Sequence, residues 1–287
     1  MIYAFIETHE EHAVVKWAQY FGVSTSGYYD WVRDRRDRNA RYQSYGDEVE
    51  SIFHDSHNTY GAERIGAVLR QRGHRASFRK VKRIMRERGL RSVHVKRVKA
   101  LTDSRKARGE GFPNLLHGQV ITQPFEALSS DISYIPTDEG FDYLCQIRDI
   151  HTGLILATQQ LPRMSKELVL ETIQAALTRW HLPEGTIFHS DRGSQYTSKE
   201  VTKLLTKMGI RQSFSRVGMP GDNAWSESFF SILKKELVYP QRFVTREEAR
   251  QAVFAYIETF YNRTRIQKQL GWCSPLQSLC ASQHSAA

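Results

Sequence analysis

The chain alternates apolar and polar positions in two distinct manners, and the change falls near residue 123. Before it, the periods are helical. AVVKWAQYFGVSTSGYYDWV reads as a short helix, a turn at Gly22 and a second helix. Val15, Ala18 and Tyr20 are placed on one face, and Ser24 or Thr25 caps the second helix. Residues 48–57 read as a helix. NTYGAERIGAVLRQRGH gives another, with Ile65, Val68 and Leu69 at i, i+3 and i+4 and a stop at Gly73. RASFRKVKRIMRERGL opens at a Ser77 cap and ends at Gly89, with Val81, Ile84, Met85 and Phe78 as its apolar stripe. After residue 123 short strand-like runs appear: FEALSSDISYIPT, FDYLCQIRDIHTG and LILATQQL, an antiparallel meander. Residues 165–180 then form an amphipathic helix with Val169, Ile173, Ala176, Leu177 and Trp180 aligned. GTIFHSD is a fourth strand, and Thr197-x-x-Glu200 a capping box ahead of Val201, Leu204, Leu205 and Met208. IRQSFSRV is a fifth strand and GMPGDNA a loop. Residues 225–237 form a helix, and Thr245-x-x-Glu248 is a second capping box opening a helix through Val253, Ile257 and Phe260.

The order β-β-β-α-β-α-β-α predicts an α/β unit of the ribonuclease H-like kind, a mixed five-stranded sheet with helices on both faces. All-α helix-turn-helix modules precede it. The expected division is 1–40 for a first helix-turn-helix-like segment, 41–95 for a second, 96–120 for a basic linker and 121–284 for the ribonuclease H-like core with a helical tail. The helix-turn-helix pattern at 13–32 is equally compatible with a plain helical hairpin.

Charge sharpens this picture. The 287-residue chain carries a net +10, and residues 62–108 alone hold 17 Lys or Arg against Glu63, Glu87 and Asp103, a local +14. A concentrated basic block suits a polyanion, because neutralising phosphates releases condensed counterions. Arg79, Lys80, Lys82, Arg83 and Arg86 surround the apolar stripe of the fifth helical segment and are the candidate DNA contacts; an ordinary solvated face is the alternative. The linker, with Gly-x-Gly and Pro113, is expected to track a nucleic-acid backbone. Cys145, Cys273 and Cys280 make no CxxC pair, and His54 and His57 lack a cysteine pair that would complete a zinc site. No apolar run is long enough to span a bilayer, and no secretory leader is visible, so a reducing cytoplasm is the expected compartment.

Against this basic background three acids stand out. Asp131 lies within the first strand, Asp191 at the exit of the fourth and Glu227 in the first turns of the helix after the Gly-Pro loop. If the first and fourth strands are neighbours, these carboxylates converge beneath that helix. Paired divalent ions about 3.5–4 Å apart serve phosphoryl transfer, and Mg²⁺ prefers carboxylate oxygen and water to His or Cys. Taken singly, each acid is equally a turn residue or a cap; Asp138, Asp142 and Asp149 also sit near strand ends, and Asp222 is placed as a helix cap.

The stretches SSDISYI, HSDRGSQYTS and GDNAWSESFFSILKKE closely resemble the catalytic core of insertion-sequence transposases of the OrfB type, within the DDE transposase and retroviral-integrase superfamily. The amino-terminal MIYAFIETHEEHAVVKWAQYFGVSTSGYYDW, the stretch YGAERIGAVLRQRG and the tail YNRTRIQKQLGWCSP extend the likeness over most of the chain. The resemblance implies Asp131, Asp191 and Glu227 as ligands of two Mg²⁺ (or Mn²⁺) ions, and Lys234 as a further catalytic residue. Lys234 is seven residues beyond Glu227, close to two helical turns or about 10 Å along the axis; a surface lysine is the plain alternative. His189 shares a strand face with Asp191 by period two and is placed either near DNA or simply in the core. The tail departs from the pattern at Ile266, Gln267 and Lys268, and the loop at Gly221, where relatives commonly carry an aromatic.

The reaction so implied is Mg²⁺-dependent cleavage at element ends followed by strand transfer through the freed 3′-hydroxyl. The implied partners are DNA, as terminal inverted repeats and target, further copies of the chain on paired ends, and an upstream-frame OrfA-type protein, fused or associated, in a bacterial cytoplasm at the nucleoid. Two other readings compete: a DNA-binding regulator of the element with an idle nuclease fold, and a ribonuclease H-type nuclease.

Overall fold

The computed structural model describes residues 1–93, 113–216 and 220–285. Most of the expected linker therefore lies outside the described residues. The chain divides into two compact units, residues 1–91 and 92–287.

The first unit is helical: α1 (Ile2–Thr8), α2 (Val14–Phe21), α3 (Thr25–Asp55), α4 (Ala62–Gln71) and α5 (Phe78–Glu87). Gly22 ends α2 in the left-handed region at φ 64°, where a side chain is disfavoured. Ser24 caps α3, its hydroxyl accepting the Gly27 N–H at 3.3 Å. The inward face of α2 is Val14, Trp17, Ala18 and Phe21; Val15 and Tyr20 are exposed, which corrects the face read from sequence. The helix expected at 48–57 is the end of one 31-residue helix that runs across residue 40. Val49, Ile52 and Phe53 of α3 are buried, as are Ile65 and Leu69 of α4 and Val81, Ile84 and Met85 of α5. Phe78 is exposed and lies outside the α5 stripe. Ser77 caps α5 through the Lys80 N–H.

The second unit holds one sheet in the order β3-β2-β1-β4-β5. β1 (Ala127–Thr137), β2 (Gly140–Asp149) and β3 (Ile155–Leu161) are antiparallel; β4 (Ile187–Ser190) runs parallel to β1, and β5 (Arg211–Phe214) parallel to β4. Parallel neighbours need crossovers. α6 (Lys166–Arg179) carries the chain from β3 to β4, and α7 (Lys199–Lys207) from β4 to β5. Leu128, Cys145, Ile147 and Phe188 of the sheet pack with Leu168, Val169 and Ile173 of α6 and Val201 and Leu205 of α7. By alternation, Asp131, Gln146 and Arg148 turn to the other side. There α8 (Ala224–Leu233) meets β1 and β2, and its N-terminus is hydrogen-bonded to both strands; α9 (Arg246–Ala255) packs on β1 and β2 as well. α10 (Pro275–Ser285) is the last element described.

Three local features differ from expectation. The cap of α7 is Ser198, whose hydroxyl accepts the Val201 N–H, while Thr197 bonds back to the Gly193 carbonyl. The second capping box does cap: the Thr245 hydroxyl accepts the Glu248 N–H at 3.1 Å. Both α8 and α9 pass into π-helical turns, Lys234–Val238 and Tyr256–Tyr261, where the sequence suggests plain helix. Residues 113–116, the described end of the expected linker, pack on the core. The Phe214 N–H donates to the Pro113 carbonyl at 3.0 Å and the Leu115 N–H to the Ser213 hydroxyl at 2.9 Å, which shields the edge strand β5.

Candidate active site

The site starts from a register. Ala127, Leu128 and Ser129 of β1 stand beside Ile187, Phe188 and His189 of β4. Asp131 and Asp191 each lie two residues beyond the last of these pairs, Asp131 still within β1 and Asp191 just past the end of β4, and the Asp191 charge acts on the Asp131 carboxyl. Asp131 is half-buried, and its Oδ1 accepts the Ile132 N–H at 2.8 Å. Asp191 faces solvent at the strand exit, and its Oδ1 accepts the Gly193 N–H at 2.9 Å, an Asx-type turn that fixes the carboxylate.

α8 is fastened over this pair at its N-terminus. Gln146, directly across β2 from Asp131, donates to the Ser226 hydroxyl at 2.8 Å. Asn223 donates to the Ser130 carbonyl at 3.1 Å, and the Arg148 guanidinium donates to the Trp225 carbonyl. These bonds hold the residues immediately before Glu227. Glu227 itself has its side chain at the surface of the first helical turn. Lys234 begins the following π turn, half-buried, with its ammonium 4.4 Å from the Tyr134 ring centre.

The electrostatics couple these groups. Burial, then the charge of Asp191, then that of Glu227 push the Asp131 carboxyl up to about 7, with Lys234 opposing them. Burial also raises Asp191 and Glu227 and lowers Lys234, against which Asp131 acts. Asp131, Asp191 and Glu227 form no ion pair within 4 Å among the described residues. Nor do any three His, Cys, Asp or Glu side chains among the described residues already make a metal-binding cluster. As a donor set Asp131, Asp191 and Glu227 suit a hard divalent cation in kind: all are carboxylate oxygens, and none is ion-paired among the described residues.

The neighbouring acids are structural. Asp142 is buried against Arg250 with bonds of 2.9 and 3.0 Å, and Asp138 pairs with Arg242. Asp149 accepts the Phe125 and Thr152 N–H groups. Asp222, expected as a helix cap, is instead gripped by Arg216 and Asn114, which hold its carboxyl well below the usual range; Asn223 occupies the cap position. His189 is fully buried, its ring nitrogens 2.9 and 3.1 Å from the Ser213 and Ser215 hydroxyls, and burial lowers its pKa to about 4, so it is a neutral packed residue. Gln146, Arg148, Asn223 and Ser226 escaped the sequence reading. Polar residues at alternate positions of the apolar run YLCQIRD, in phase with Asp131, were the available signal.

In the first unit, Arg79, Lys82, Arg83 and Arg86 of α5 are exposed. Arg83 lies over the Tyr42 ring and 3.8 Å from Glu87. The Lys80 ammonium lies 3.6 Å from the Tyr45 ring centre.

Residues 121–220 and 227–278 match families each described as an integrase core domain, and residues 45–98 match an HTH-like domain. The transposase InsF of insertion sequence IS3A from Escherichia coli is 34% identical over 286 residues, 96% of this chain and 98% of that protein. The transposase of insertion sequence element IS904 from Lactococcus lactis is 37% identical over 231 residues, 80% of this chain and 90% of that protein. Among solved structures, the simian T-cell lymphotropic virus intasome in complex with PP2A regulatory subunit B56 gamma aligns at a TM-score of 0.47 and 15% identity, over 80% of this chain and 74% of that one. The HTLV-2 integrase catalytic core in complex with magnesium aligns at 0.42 and 14%, over 55% and 97%. On the strength of relatives matched over nearly its whole length, the chain belongs to the integrase-core transposases of IS3-type insertion sequences.

Proposed function

We propose that this chain is a DNA transposase whose phosphoryl-transfer site is built from Asp131, Asp191, Glu227 and Lys234. The observation that carries the reading is the register of β1 and β4. It brings together the strand ends that lead to Asp131 and Asp191, and the Asp131 carboxyl is pushed to about 7 by burial and by the charges of Asp191 and Glu227, with no ion-pair partner for these acids among the described residues. Such a pair is costly unless positive charge is brought to it.

Asp131 and Asp191, with Glu227 from α8, would hold two divalent ions, Mg²⁺ or Mn²⁺. Bound there, the ions supply charge neutralisation at the scissile phosphate and acidify the attacking water or 3′-hydroxyl. The protein's own part is placement. Gly193 orients Asp191 through its N–H, the Gln146–Ser226 bond sets the height of α8 over β1, and Lys234 offers an ammonium to a neighbouring phosphate oxygen. Water attacks the phosphate at an element end and a 3′-hydroxyl leaves; that hydroxyl then attacks a target phosphate, and a second 3′-oxygen leaves. No protein nucleophile is required.

Arg79, Lys82 and Arg86 on the exposed face of α5 contact DNA, Lys80 and Arg83 acting nearer the α3 interface. The chain acts as a multimer on paired terminal inverted repeats, with or without an OrfA-type partner. Among the described residues no helix is long and apolar enough to cross a membrane; a cytoplasmic, nucleoid-bound enzyme suits a DNA substrate. Cleavage of a labelled duplex bearing an element end tests the reading. Asp191→Asn abolishes Mg²⁺-dependent nicking and leaves binding in place; full nicking by that variant rejects the assignment. A wild type that binds ends and never nicks them is a regulator, and preference for an RNA–DNA hybrid marks a ribonuclease H-type nuclease.

A further inference from the structure

Lys234 opens a π turn in which the Tyr239 N–H reaches back five residues to the Lys234 carbonyl at 2.8 Å. Single π turns inside helices are rare and occur frequently at functional sites. The described side chains show what grips this one. Glu236, two residues after Lys234, accepts Arg265 Nε at 2.8 Å, Arg265 Nη2 at 2.7 Å and the Tyr256 hydroxyl at 2.7 Å. The Arg265 side chain is 2% exposed and that of Glu236 10%. A buried ion pair seldom adds stability over apolar packing of the same volume, so its use here points to fixed geometry more than to strength.

The partners come from a base that is itself anchored. The Asn262 side chain brackets Ile155 at the start of β3, accepting its N–H at 3.0 Å and donating to its carbonyl at 2.9 Å. Tyr261 stands edge-on to Phe229 of α8, ring centres 5.0 Å apart. The Arg265 N–H closes on the Phe260 carbonyl at 2.7 Å. Residues 256–265 therefore form a buckle tied to the sheet on one side and to the α8 turn on the other. At the far end of that turn Lys234 lies over Tyr134, three positions along β1 from Asp131.

We propose that Glu236, gripped by Arg265 and Tyr256, is a positioning residue that sets the π turn and so aims Lys234 at the phosphate bound beside Asp131. This rests on the active-site reading above. It makes the carboxy-terminal segment part of the active-site architecture through Glu236, which Arg265 and Tyr256 grip.

A double-mutant cycle on the full chain tests it, with single-turnover cleavage of an element-end duplex in Mg²⁺ as readout. Tyr256→Phe keeps the ring and the ion pair and removes one hydrogen bond to a charged group. Arg265→Lys keeps the charge and loses the two-pronged geometry. Each lowers the cleavage rate about tenfold, with DNA affinity and the melting of the first unit unchanged. In a Lys234→Ala background neither lowers it further. Losses that multiply with that of Lys234→Ala place the cluster in the general fold and overturn the proposal, as do Tyr256→Phe and Arg265→Lys proteins that cleave at the wild-type rate. Lys234→Ala cleaving normally while Asp191→Asn is dead overturns the proposal and leaves the metal-ligand reading standing. An active Asp191→Asn strikes at that reading itself.

Discussion

Replacing Asp131 by Asn is expected to make the metal-free protein more stable while destroying its activity. The Asp131 carboxyl moves from an ordinary 3.8 up to about 7 on folding, through burial and the charges of Asp191 and Glu227. Because the folded value is raised, the group's favourable contribution is complete below pH about 4 and is lost as pH rises through 7. At about 1.4 kcal/mol per pKa unit the shift has a ceiling of about 4 kcal/mol. The carboxyl is only half-buried, and solvent and salt screening reduce this to about 1–2 kcal/mol. For a unit of this size that is about 2–8 °C in melting temperature. The amide is isosteric and still accepts the Ile132 N–H, so no packing is lost. The assay is calorimetric melting of the full chain in EDTA at pH 5 and pH 8. Asp131→Asn should melt above wild type at pH 8, by a margin that shrinks at pH 5. Added Mg²⁺ should raise the wild type alone, since a ligand stabilises only the state that binds it. A variant that melts below wild type at pH 8, or a margin independent of pH, refutes the electrostatic account of the site.

Other expectations follow from the same structure. Arg79→Ala and Arg86→Ala should each reduce the salt slope of DNA binding by about 0.9, one phosphate each, in a filter or fluorescence titration; Arg83→Ala should act less, because Arg83 is engaged with Tyr42 and Glu87. Asn262→Ala should lower stability by about 1–3 kcal/mol in urea, since it strands both the N–H and the carbonyl of Ile155. Gln146→Leu should slow cleavage with little loss of DNA affinity, because it unfastens Ser226 next to Glu227; unchanged turnover would show that this bond does not set the helix.

The sheet was legible because its strands differ in pattern. Alternation in β1 and β2, an amphipathic run at α6 and a capped one at α9 specify order and, through order, the adjacency of β1 and β4. Asp131 and Asp191 were visible as acids at special strand positions. Asp222 was misread as a cap because its partners, Arg216 and Asn114, include one 108 residues away in sequence. The α2 face was misassigned because Val14, Val15, Ala18 and Tyr20 are all apolar enough to serve, and only packing chooses between Val14 and Val15. The π turns left no local mark. They depend on Glu236 meeting Arg265 and on Asn262 meeting Ile155, contacts that tertiary structure alone creates. The unbroken α3 was divided in the reading because the stretch around residue 40 is polar on every side, and helix propensity with few apolar contacts carries it.

The most direct test of the account is anomalous diffraction from crystals of the protein grown with Mn²⁺. The expected result is density for divalent metal bounded by the carboxylates of Asp131, Asp191 and Glu227, with Lys234 nearby. Manganese bound elsewhere, with those three side chains turned away from one another at saturating metal, contradicts it.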